Sequence, residues 1–210
     1  MRIVKDADVR KNEILDAAEA LFAQKGFEET SISDIIEKVA VARGTVYYHF
    51  KSKEDIMDAL IDRVNNRILS AAREIAADKN TPVFERLFKT LIPMKVPDSA
   101  DHIKDQMHKP QNALMHQKSK KVLLKGIPPI LAEIVKDGIK EKLMSTPYPL
   151  ESIEMIFTYV LTVFDDDYMN DLPPKERVKR IKAFVGNLEK IFGAKGGSFA
   201  PVMQLFPLGG

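Results

Sequence analysis

Cysteine is absent from the 210 residues of the sequence. This absence excludes disulfides, thiolate metal sites and a cysteine nucleophile, and it fits a reducing compartment. The sequence also lacks any hydrophobic run that approaches the roughly 20 residues needed to span a bilayer. Its N-terminal stretch, MRIVKDADVRKNEIL, has no apolar signal-peptide core. We therefore expect a cytoplasmic protein.

An excess of charge of one sign is missing as well, because 32 basic residues stand against 30 acidic ones. The total charge gives no hint of a nucleic acid partner, and only local clusters of charge can do so. Signatures of catalysis are also lacking: there is no phosphate-binding glycine loop, no nucleophile elbow and no acid–base pair with a positioned partner. We expect no enzymatic activity and no cofactor.

Helical periodicity of apolar residues runs through most of the chain, and a hydrophobic content of 45% suffices for a buried core. We predict an all-α fold with an N-terminal three-helix head and a larger helical body. Residues 1–51 form the predicted head, residues 52–195 the body, and residues 196–210 an apolar C-terminal tail. A long helix that begins at Ser52 and ends near residue 78 is predicted to join the head to the body.

The segment from Ser31 to Phe50 predicts two short helices joined by a tight turn. Ser31 and Asp34 form a capping-box-like pair that begins the first helix. Apolar residues follow at the spacing of a helix with one buried face, namely Ile32, Ile35, Ile36 and Val39. After a short corner, the second helix begins near Arg43. This pattern is typical of a helix-turn-helix.

Cations cluster around the second of these helices. Residues 38–53 include Lys38, Arg43, Lys51 and Lys53 and contain no acidic residue. A short helix with hydroxyls, rings and an arginine suits a DNA duplex, in which some side chains meet base edges and others meet phosphates. The expected base-edge contacts are Arg43, Thr45 and Tyr48, with Gly44 allowing close approach of the backbone. The expected phosphate contacts are Ser31, Ser33, Tyr47, His49, Lys51 and Lys53.

The stretch TSISDIIEKVAVARGTVYYHFKSKEDI, residues 30–56, resembles the DNA-binding region of the tetracycline-repressor (TetR) family of transcriptional regulators. The match extends back through Ile14 and Phe22 and covers the first quarter of the chain. Two positions depart from the family pattern: Ala40 stands where the turn usually has glycine, and Ala42 where a Ser or Thr cap is common. A left-handed alanine costs about 1 to 2 kcal/mol and a missing cap about 0.5 to 2 kcal/mol.

The resemblance implies a homodimer that binds a palindromic operator in double-stranded DNA and has a small-molecule pocket in its body. We expect a repressor that a small, largely hydrophobic effector releases from DNA. Repression is favoured over activation because occupying a promoter requires no second partner. Plain core packing is the open alternative for apolar side chains in the middle helices. The candidate pocket residues are Phe84, Phe88, Met94, Met107, Met115, His116, Tyr159 and Phe164.

Two strongly apolar helices are predicted at residues 150–169 and 173–192. In the resembled family the last two long helices form the dimer interface, and an isologous contact suits a head that binds a palindrome. Burial of the same residues within their own subunit is the alternative. The candidate interface residues are Ile153, Ile156, Phe157, Val160, Ile181, Phe184, Val185, Leu188 and Phe192.

Proline-rich stretches punctuate the body and the tail. The sequence Gly-Ile-Pro-Pro at residues 126–129 predicts a kink or a break in a helical stretch that runs from residue 111 to residue 144. The tail is too apolar for a solvated linker and too rich in proline for a helix. We expect it to lie extended in a groove of its own subunit or of the partner subunit.

Two other interpretations compete with the regulator. Four histidines, His49, His102, His108 and His116, lack the spacing of a metal site such as H-E-x-x-H, so we expect no metal. The basic segment 175–195 indicates, as the alternative function, a non-enzymatic helical protein that binds a membrane surface or a partner. Its apolar face suits a dimer seam equally well, and we therefore expect no membrane partner.

Overall fold

The computed structural model describes residues 7–92, 113–164, 168–169 and 171–206, with the side chain of Met115 left outside. All secondary structure in these described residues is helical, which confirms the predicted all-α fold. The chain divides into two compact units. We call them the head unit, Met1–Asn66 with Val96–Ser119, and the body unit, Arg67–Lys95 with Lys120–Gly210.

The head unit begins with α1 (Ala7–Lys25), which ends at a glycine with a left-handed backbone. Gly26 has a φ of 87°, and its amide donates to the Phe22 carbonyl at 2.9 Å. The rings of Phe22 and Phe27 then meet edge to face, with 5.3 Å between their centroids. A left-handed glycine followed by a ring that packs back against the helix is a common way for a helix to end.

The predicted helix-turn-helix is present as α2 (Ile32–Val39) and α3 (Arg43–His49). It is followed by α4 (Lys53–Ala77), whose 25 residues extend over about 37 Å and belong in part to each unit. Apolar side chains of these four helices are buried and give the head its core. They include Ile14, Leu15, Phe22, Ile35, Val46, Ile56, Met57, Leu60 and Ile61, and Phe50 joins them directly after α3.

An arginine of α4 ties this helix to α1 within the head unit. Arg63 donates from Nη1 to Asp16 Oδ1 and from Nη2 to Glu19 Oε2, both at 2.6 Å. Only 12% of the Arg63 side chain is exposed, so these bonds are largely shielded on the arginine side. Two acidic side chains that precede the helix-turn-helix are thereby paired inside the head.

The helices of the body unit are the second part of α4, α5 (Val83–Leu91), most of α6 (Ala113–Lys140), α7 (Pro149–Val163) and α8 (Pro174–Ile191). Among the described helices, none combines the length and the apolar character that crossing a membrane requires. Their apolar faces meet in one core, which includes Leu69, Leu87, Ile127, Leu131, Ile134, Val135, Phe157, Phe184 and Leu188.

The helix α6 passes through Pro128 and Pro129 without ending, so a break at this point is wrong. Gly126 lets α6 lie close to α4, since a Cβ at that position would stand 2.5 Å from Leu69 Cδ2. Ile127 and Leu131 are buried around the two prolines. This packing keeps the helix continuous where proline removes backbone donors.

The core of the body unit encloses an arginine. Arg86 is 1% exposed, and its Nη1 donates to the Ala76 carbonyl at 3.0 Å and to Asp137 Oδ2 at 2.9 Å. Lys79 pairs with the same carboxylate. Burial raises the pKa of Asp137, but the hydrogen bonds from Lys79 and Arg86 outweigh it and hold that pKa below its ordinary value. One guanidinium thus links the end of α4 to α5 and α6.

The tail folds onto the body unit instead of extending. Residues Ala200–Leu205 form a 3₁₀ helix with Pro201 in its first turn, where a fixed φ and a missing amide are tolerated. Phe199 and Val202 are buried in the core of the same unit, with exposures of 5% and 7%. The predicted extended conformation is therefore wrong, and the described part of the tail packs on its own subunit.

Candidate nucleic-acid interface

The first helix of the helix-turn-helix starts from a complete capping box, as predicted. The Ser31 hydroxyl accepts from the Asp34 amide at 3.1 Å, and the Asp34 carboxylate accepts from the Ser31 amide at 2.7 Å. Lys25 Nζ donates to the same carboxylate at 2.8 Å. Hydrogen bonds from Lys25 and Ser31 hold the pKa of Asp34 well below its ordinary range. The Ser31 hydroxyl also donates to Asp34, at 2.8 Å, so the predicted phosphate contact would have to compete with this bond.

The corner between α2 and α3 contains a strained residue. Ala40 has a φ of 55° and a ψ of 45°, in the left-handed region, and its amide donates to the carbonyls of Ile36 and Glu37 at 3.0 and 3.1 Å. Ala42 begins α3 with a side chain that offers no cap. Both departures from the family pattern therefore have an energetic cost in the structure. Burial of Val46 on α3 and of Phe50 directly after it helps to offset this cost.

The helix α3 divides into a buried and an exposed face. Val46 is 0% exposed, whereas Tyr48 is 75% exposed. At about 100° per residue, Gly44 and Tyr48 lie opposite Val46, and Arg43 and Thr45 lie at the two edges of that outer face. A Cβ added to Gly44 would meet no atom of the described chain within 4 Å, so the backbone there is open to an approaching partner.

Rings and cations on the outer face contact one another at the surface. The Arg43 guanidinium lies over the Tyr47 ring at 5.5 Å from its centroid. The rings of Tyr48 and His49 meet edge to face at 5.0 Å. Lys51 is exposed, and its Nζ donates to the Tyr47 carbonyl at 3.2 Å. Cation–π and hydrogen-bond contacts of this exposed kind are weak, so duplex phosphates or base edges can compete for both cations.

Lys53 has a role inside the head unit that sequence reasoning missed. Its Nζ donates to the carbonyls of Phe27 and Glu28 at 2.7 and 3.1 Å, and it lies 4.2 Å from the centroid of the Phe27 ring. The side chain therefore holds the loop after α1 against the start of α4. No local pattern announces such contacts, because they join residues 26 and 25 positions apart. The last predicted phosphate contact, Ser33, is exposed on α2.

The structure gathers part of the predicted effector pocket in the body unit. The rings of Tyr159 and Phe164 lie there 5.5 Å apart. Phe84 of α5 is half-buried, as is Phe88 one turn further on. His116 belongs to the head unit. The remaining predicted positions, Met94, Met107 and the side chain of Met115, lie outside the described residues.

Most of the predicted dimer residues are buried within the single chain. The buried ones are Ile153, Phe157, Ile181, Phe184, Val185, Leu188 and Phe192. Ile156 and Val160 are partly buried against the core of the body unit. The chain's own packing thus accounts for their burial.

Two of the four histidines, His102 and His108, lie outside the described residues, as do the three aspartates at positions 165–167. Across the described ranges, no group of three His, Asp or Glu side chains is placed to hold a metal ion. His49 contacts rings on both sides instead, with Phe50 at 6.4 Å in addition to Tyr48.

Two family models match the chain. Residues 14–60 match the family described as bacterial regulatory proteins, tetR family, and this match includes both helices of the helix-turn-helix. Residues 95–184 match the tetracyclin repressor-like C-terminal domain.

Individual relatives agree with these matches. The chain is 31% identical over 86 residues to the HTH-type transcriptional repressor KstR2 of Mycobacterium tuberculosis (strain ATCC 25618 / H37Rv), which covers 41% of this chain and 42% of that relative. It is 30% identical over 137 residues to the fatty acid metabolism regulator protein of Bacillus subtilis (strain 168), which covers 61% of this chain and 67% of the relative. The chain therefore spans less than half the length of KstR2 and two thirds of the Bacillus protein.

Solved structures share the fold over most of the chain. SmeT, described as the repressor of the Stenotrophomonas maltophilia multidrug efflux pump SmeDEF, has a TM-score of 0.61 at 22% identity and covers 91% of this chain and 93% of its own. The fatty acid degradation regulator FadR of Bacillus halodurans has a TM-score of 0.58 at 25% identity, with coverages of 77% and 86%. The helix-turn-helix geometry, the two family matches and the relative matched over two thirds of its length together establish that the chain belongs to the TetR family of bacterial regulatory proteins.

Proposed function

We propose that the protein is a transcriptional repressor that binds a pseudo-palindromic operator as a homodimer and leaves it when a small, largely hydrophobic effector binds. The observation that carries this proposal is the outer face of α3, where Arg43, Thr45 and Tyr48 border the open backbone at Gly44. Membership of a regulatory family supports the same function. Such a protein acts where the DNA is, in the cytoplasm.

Each subunit is proposed to place α3 in a major groove. The Arg43 guanidinium suits the O6 and N7 acceptors of guanine, and Thr45 and Tyr48 offer hydroxyls and apolar surface to neighbouring base edges. Lys51, Tyr47 and His49 are proposed to hold phosphates, which fix the register of the helix on the duplex. Two copies related by a two-fold axis then meet half-sites separated by roughly 34 to 36 Å or a multiple of it.

The homodimer is proposed to form through the exposed sides of α7 and α8. Met155 on α7 is 58% exposed and Tyr159 is 39% exposed, although both sit beside buried core positions. The sequence of α7 has two glutamates and no cation, whereas α8 has exposed lysines that include Lys179 and Lys182. In an isologous contact, α7 of one subunit against α8 of the other would bring these opposite charges together.

Sedimentation velocity tests this dimer. Met155→Glu places a charge at the centre of the proposed contact and is expected to yield monomers at micromolar concentration. Tyr148→Glu, at a position 65% exposed before the start of α7, is the matched control and is expected to leave the dimer intact. A Met155→Glu variant that sediments as the wild type does would exclude this contact.

The effector is proposed to act by linkage, since it lowers DNA affinity only by as much as it prefers the conformation that does not fit the operator. The helix α4 is the proposed lever. Lys53 at its start holds the loop after α1, and Leu69 and Ala72 further along it are buried in the body core. SmeT, which shares the fold, has been solved as a complex with triclosan, and this precedent supports a small-molecule effector.

The regulator is tested by selecting duplexes from a randomised pool on the purified protein, followed by footprinting of the enriched sequence. The expected result is an inverted repeat protected by two subunits. A small-molecule library is then screened by thermal shift with and without that duplex, which identifies the effector and the sign of its coupling to DNA together. Enrichment of no sequence, or of a site without two-fold symmetry, would overturn the proposal.

The membrane-surface alternative is not favoured. The lysines of α8 are exposed, but its apolar side chains Phe184, Val185 and Leu188 are buried in the body core. A helix that lies in a bilayer interface needs a free apolar face. Liposome binding that disappears in the double variant Lys179→Glu and Arg180→Glu would revive this alternative.

A further inference from the structure

The described part of the C-terminal tail, residues 196–206, fills an apolar site on the body unit. Phe199 lies between two rings, with its centroid 5.3 Å from that of Phe84 on α5 and 5.7 Å from that of Phe192 at the end of α8. Val202, in the 3₁₀ helix, is 7% exposed and belongs to the same core. Residues from the end of the chain thus cover one side of α5 and α8.

Phe206, the last described residue of the tail, adds a second ring to this site. Phe206 lies 4.4 Å from Phe164 and 6.0 Å from Phe184, measured between ring centroids. Tyr159 stacks on Phe184 at 5.7 Å and completes the cluster. Phe206 is half-buried, so a ring of similar size can take its place without opening the rest of the core.

The contacts between the tail and the body unit are ones that an apolar ligand can replace. Residues 196–206 contain no charged side chain, so no ion pair fixes them. Glu189 Oε1 on α8 accepts from the Gly197 amide at 2.6 Å and, more weakly, from the Phe199 amide at 3.5 Å. Gly197 has a φ of 87°, a conformation open to glycine at no cost. A 3₁₀ helix has poorer hydrogen-bond geometry than an α-helix, so this segment gains little from its own backbone.

We infer that the tail is an internal competitor for the effector: the site bordered by Phe84, Phe164 and Phe184 takes an uncharged aromatic or aliphatic molecule once the tail has swung out about Gly197. This inference rests on the proposed function for the identity of the effector. Phe84 and Phe164, two residues that the sequence predicted for the pocket, both contact tail rings. The site offers apolar and aromatic surface, which is why the expected ligand is uncharged.

The competition has a measurable consequence. A ligand that needs the open site binds with an apparent affinity reduced by the fraction of molecules in which the tail is out. If the tail is docked in about nine molecules of ten, removing it raises the affinity about tenfold. Removing a single contact of the tail, that of Glu189 or that of Phe206, raises the ligand affinity by a smaller factor.

The test is a fluorescence titration of the full chain, without DNA, with the uncharged dye N-phenyl-1-naphthylamine. A chain that ends at Gly197 is expected to bind the dye about tenfold more tightly than the wild type, and Phe206→Ala and Glu189→Ala are expected to bind it several-fold more tightly. Glu189→Gln keeps an acceptor oxygen for both tail amides and is expected to match the wild type, as is Tyr148→Ala, which removes an exposed ring elsewhere. A synthetic peptide of residues 198–206 is expected to displace the dye from the shortened chain, and Phe164→Ala in that chain is expected to weaken dye binding.

Equal dye affinity in the wild type, Phe206→Ala and Glu189→Ala would overturn the inference, as would failure of the peptide to compete. Circular dichroism shows which variants are folded, and the two point variants decide the matter if the shortened chain does not fold. Operator binding by the wild type is measured separately. If the wild type binds no operator but the dye titrations give the expected differences, the proposed repressor is excluded and the internal competition remains. If the wild type binds an operator but the dye titrations show no differences, only the internal competition is excluded.

Discussion

Arg43 of the head unit and Arg86 of the body unit are used in opposite ways. In the head, Arg43 lies exposed on the outer face of α3. In the body, Arg86 is almost entirely enclosed and bonds to two neighbouring helices. The head therefore keeps positive charge available to a partner, whereas the body uses its buried charge to hold its own helices.

The largest expected effect is the loss of stability on removing the buried Arg86 of the body unit. Arg86→Ala leaves the Asp137 carboxylate with Lys79 alone and removes a buried side chain, so we expect the free energy of unfolding to fall by about 3 to 5 kcal/mol. Urea unfolding followed by circular dichroism measures the loss. Lys89→Ala, which removes the exposed pair with Glu85 on the same helix, is the control and is expected to cost less than about 1 kcal/mol.

A double variant separates the charge from the packing at this site. Arg86→Met with Asp137→Leu replaces the ion pair by apolar groups, and such replacements are often nearly neutral. We expect it to recover most of the stability that Arg86→Ala loses. If the single variant unfolded no more easily than Lys89→Ala, the buried guanidinium would not be holding the body together.

The second largest expected effect is the loss of DNA affinity on removing the exposed Arg43 of the head unit. Arg43→Ala is expected to weaken operator binding by about 1 to 3 kcal/mol and to relax the preference at one base pair, whereas Lys51→Ala should weaken all sequences alike and reduce the salt slope by about one unit. Fluorescence anisotropy on the selected operator and on one-base variants, at several salt concentrations, measures both. Neither change should alter unfolding, because both side chains are exposed. Wild-type affinity in both variants would remove α3 as the DNA-contacting helix.

The same contrast explains how far the sequence could predict the structure. In the head, the signals are local: the Ser31–Asp34 box, the Gly26 stop and the left-handed Ala40 depend on neighbours within four residues, and all three are present as the sequence implies. Contacts of Lys53 with Phe27 and of Arg63 with Asp16 join distant parts of the head, and no local pattern pointed to them.

In the body, long-range packing overrides local preference. Two successive prolines in α6 favour a break, but buried neighbours and the close approach of Leu69 to Gly126 keep the helix continuous. The tail was predicted to be extended because of its prolines, yet Pro201 suits the first turn of a 3₁₀ helix once Phe199 and Val202 find a core to enter. Propensity alone could not anticipate that core, because it is built from α5 and α8 far back in the chain.

A third, smaller effect concerns backbone strain at one residue in each unit. Ala40 in the head and Lys142 in the body are non-glycine residues in the left-handed region, with φ of 55° and 60°. Glycine relieves a strain of about 1 to 2 kcal/mol in the folded chain, but its greater conformational entropy stabilises the unfolded chain by roughly 0.4 to 1 kcal/mol. Each change should therefore raise the free energy of unfolding by about 0.5 to 1 kcal/mol. Thermal unfolding of Ala40→Gly, Lys142→Gly and the pair measures this. A destabilised Ala40→Gly would mean that the corner is not strained.

The last effect appears only on acidification and compares one carboxylate from each unit. The pKa values of Asp34 in the head and Asp137 in the body are both lowered in the folded chain, the first by hydrogen bonds from Lys25 and Ser31 and the second by those from Lys79 and Arg86 against the opposing effect of burial. A carboxyl with a lowered folded pKa contributes stability above its unfolded pKa, near 3.9, and that contribution disappears as the pH falls through the folded value. The free energy of unfolding should therefore be flat from about pH 7 to 5 and fall below about pH 4.

Three variants test this assignment. Asp137→Asn and Asp34→Asn should each be less stable than the wild type at neutral pH and should lose less of their stability on acidification. Glu151→Gln, exposed on α7, should follow the wild-type curve. If both aspartate variants kept the full wild-type pH dependence, neither carboxylate could be responsible for the acid sensitivity of its unit.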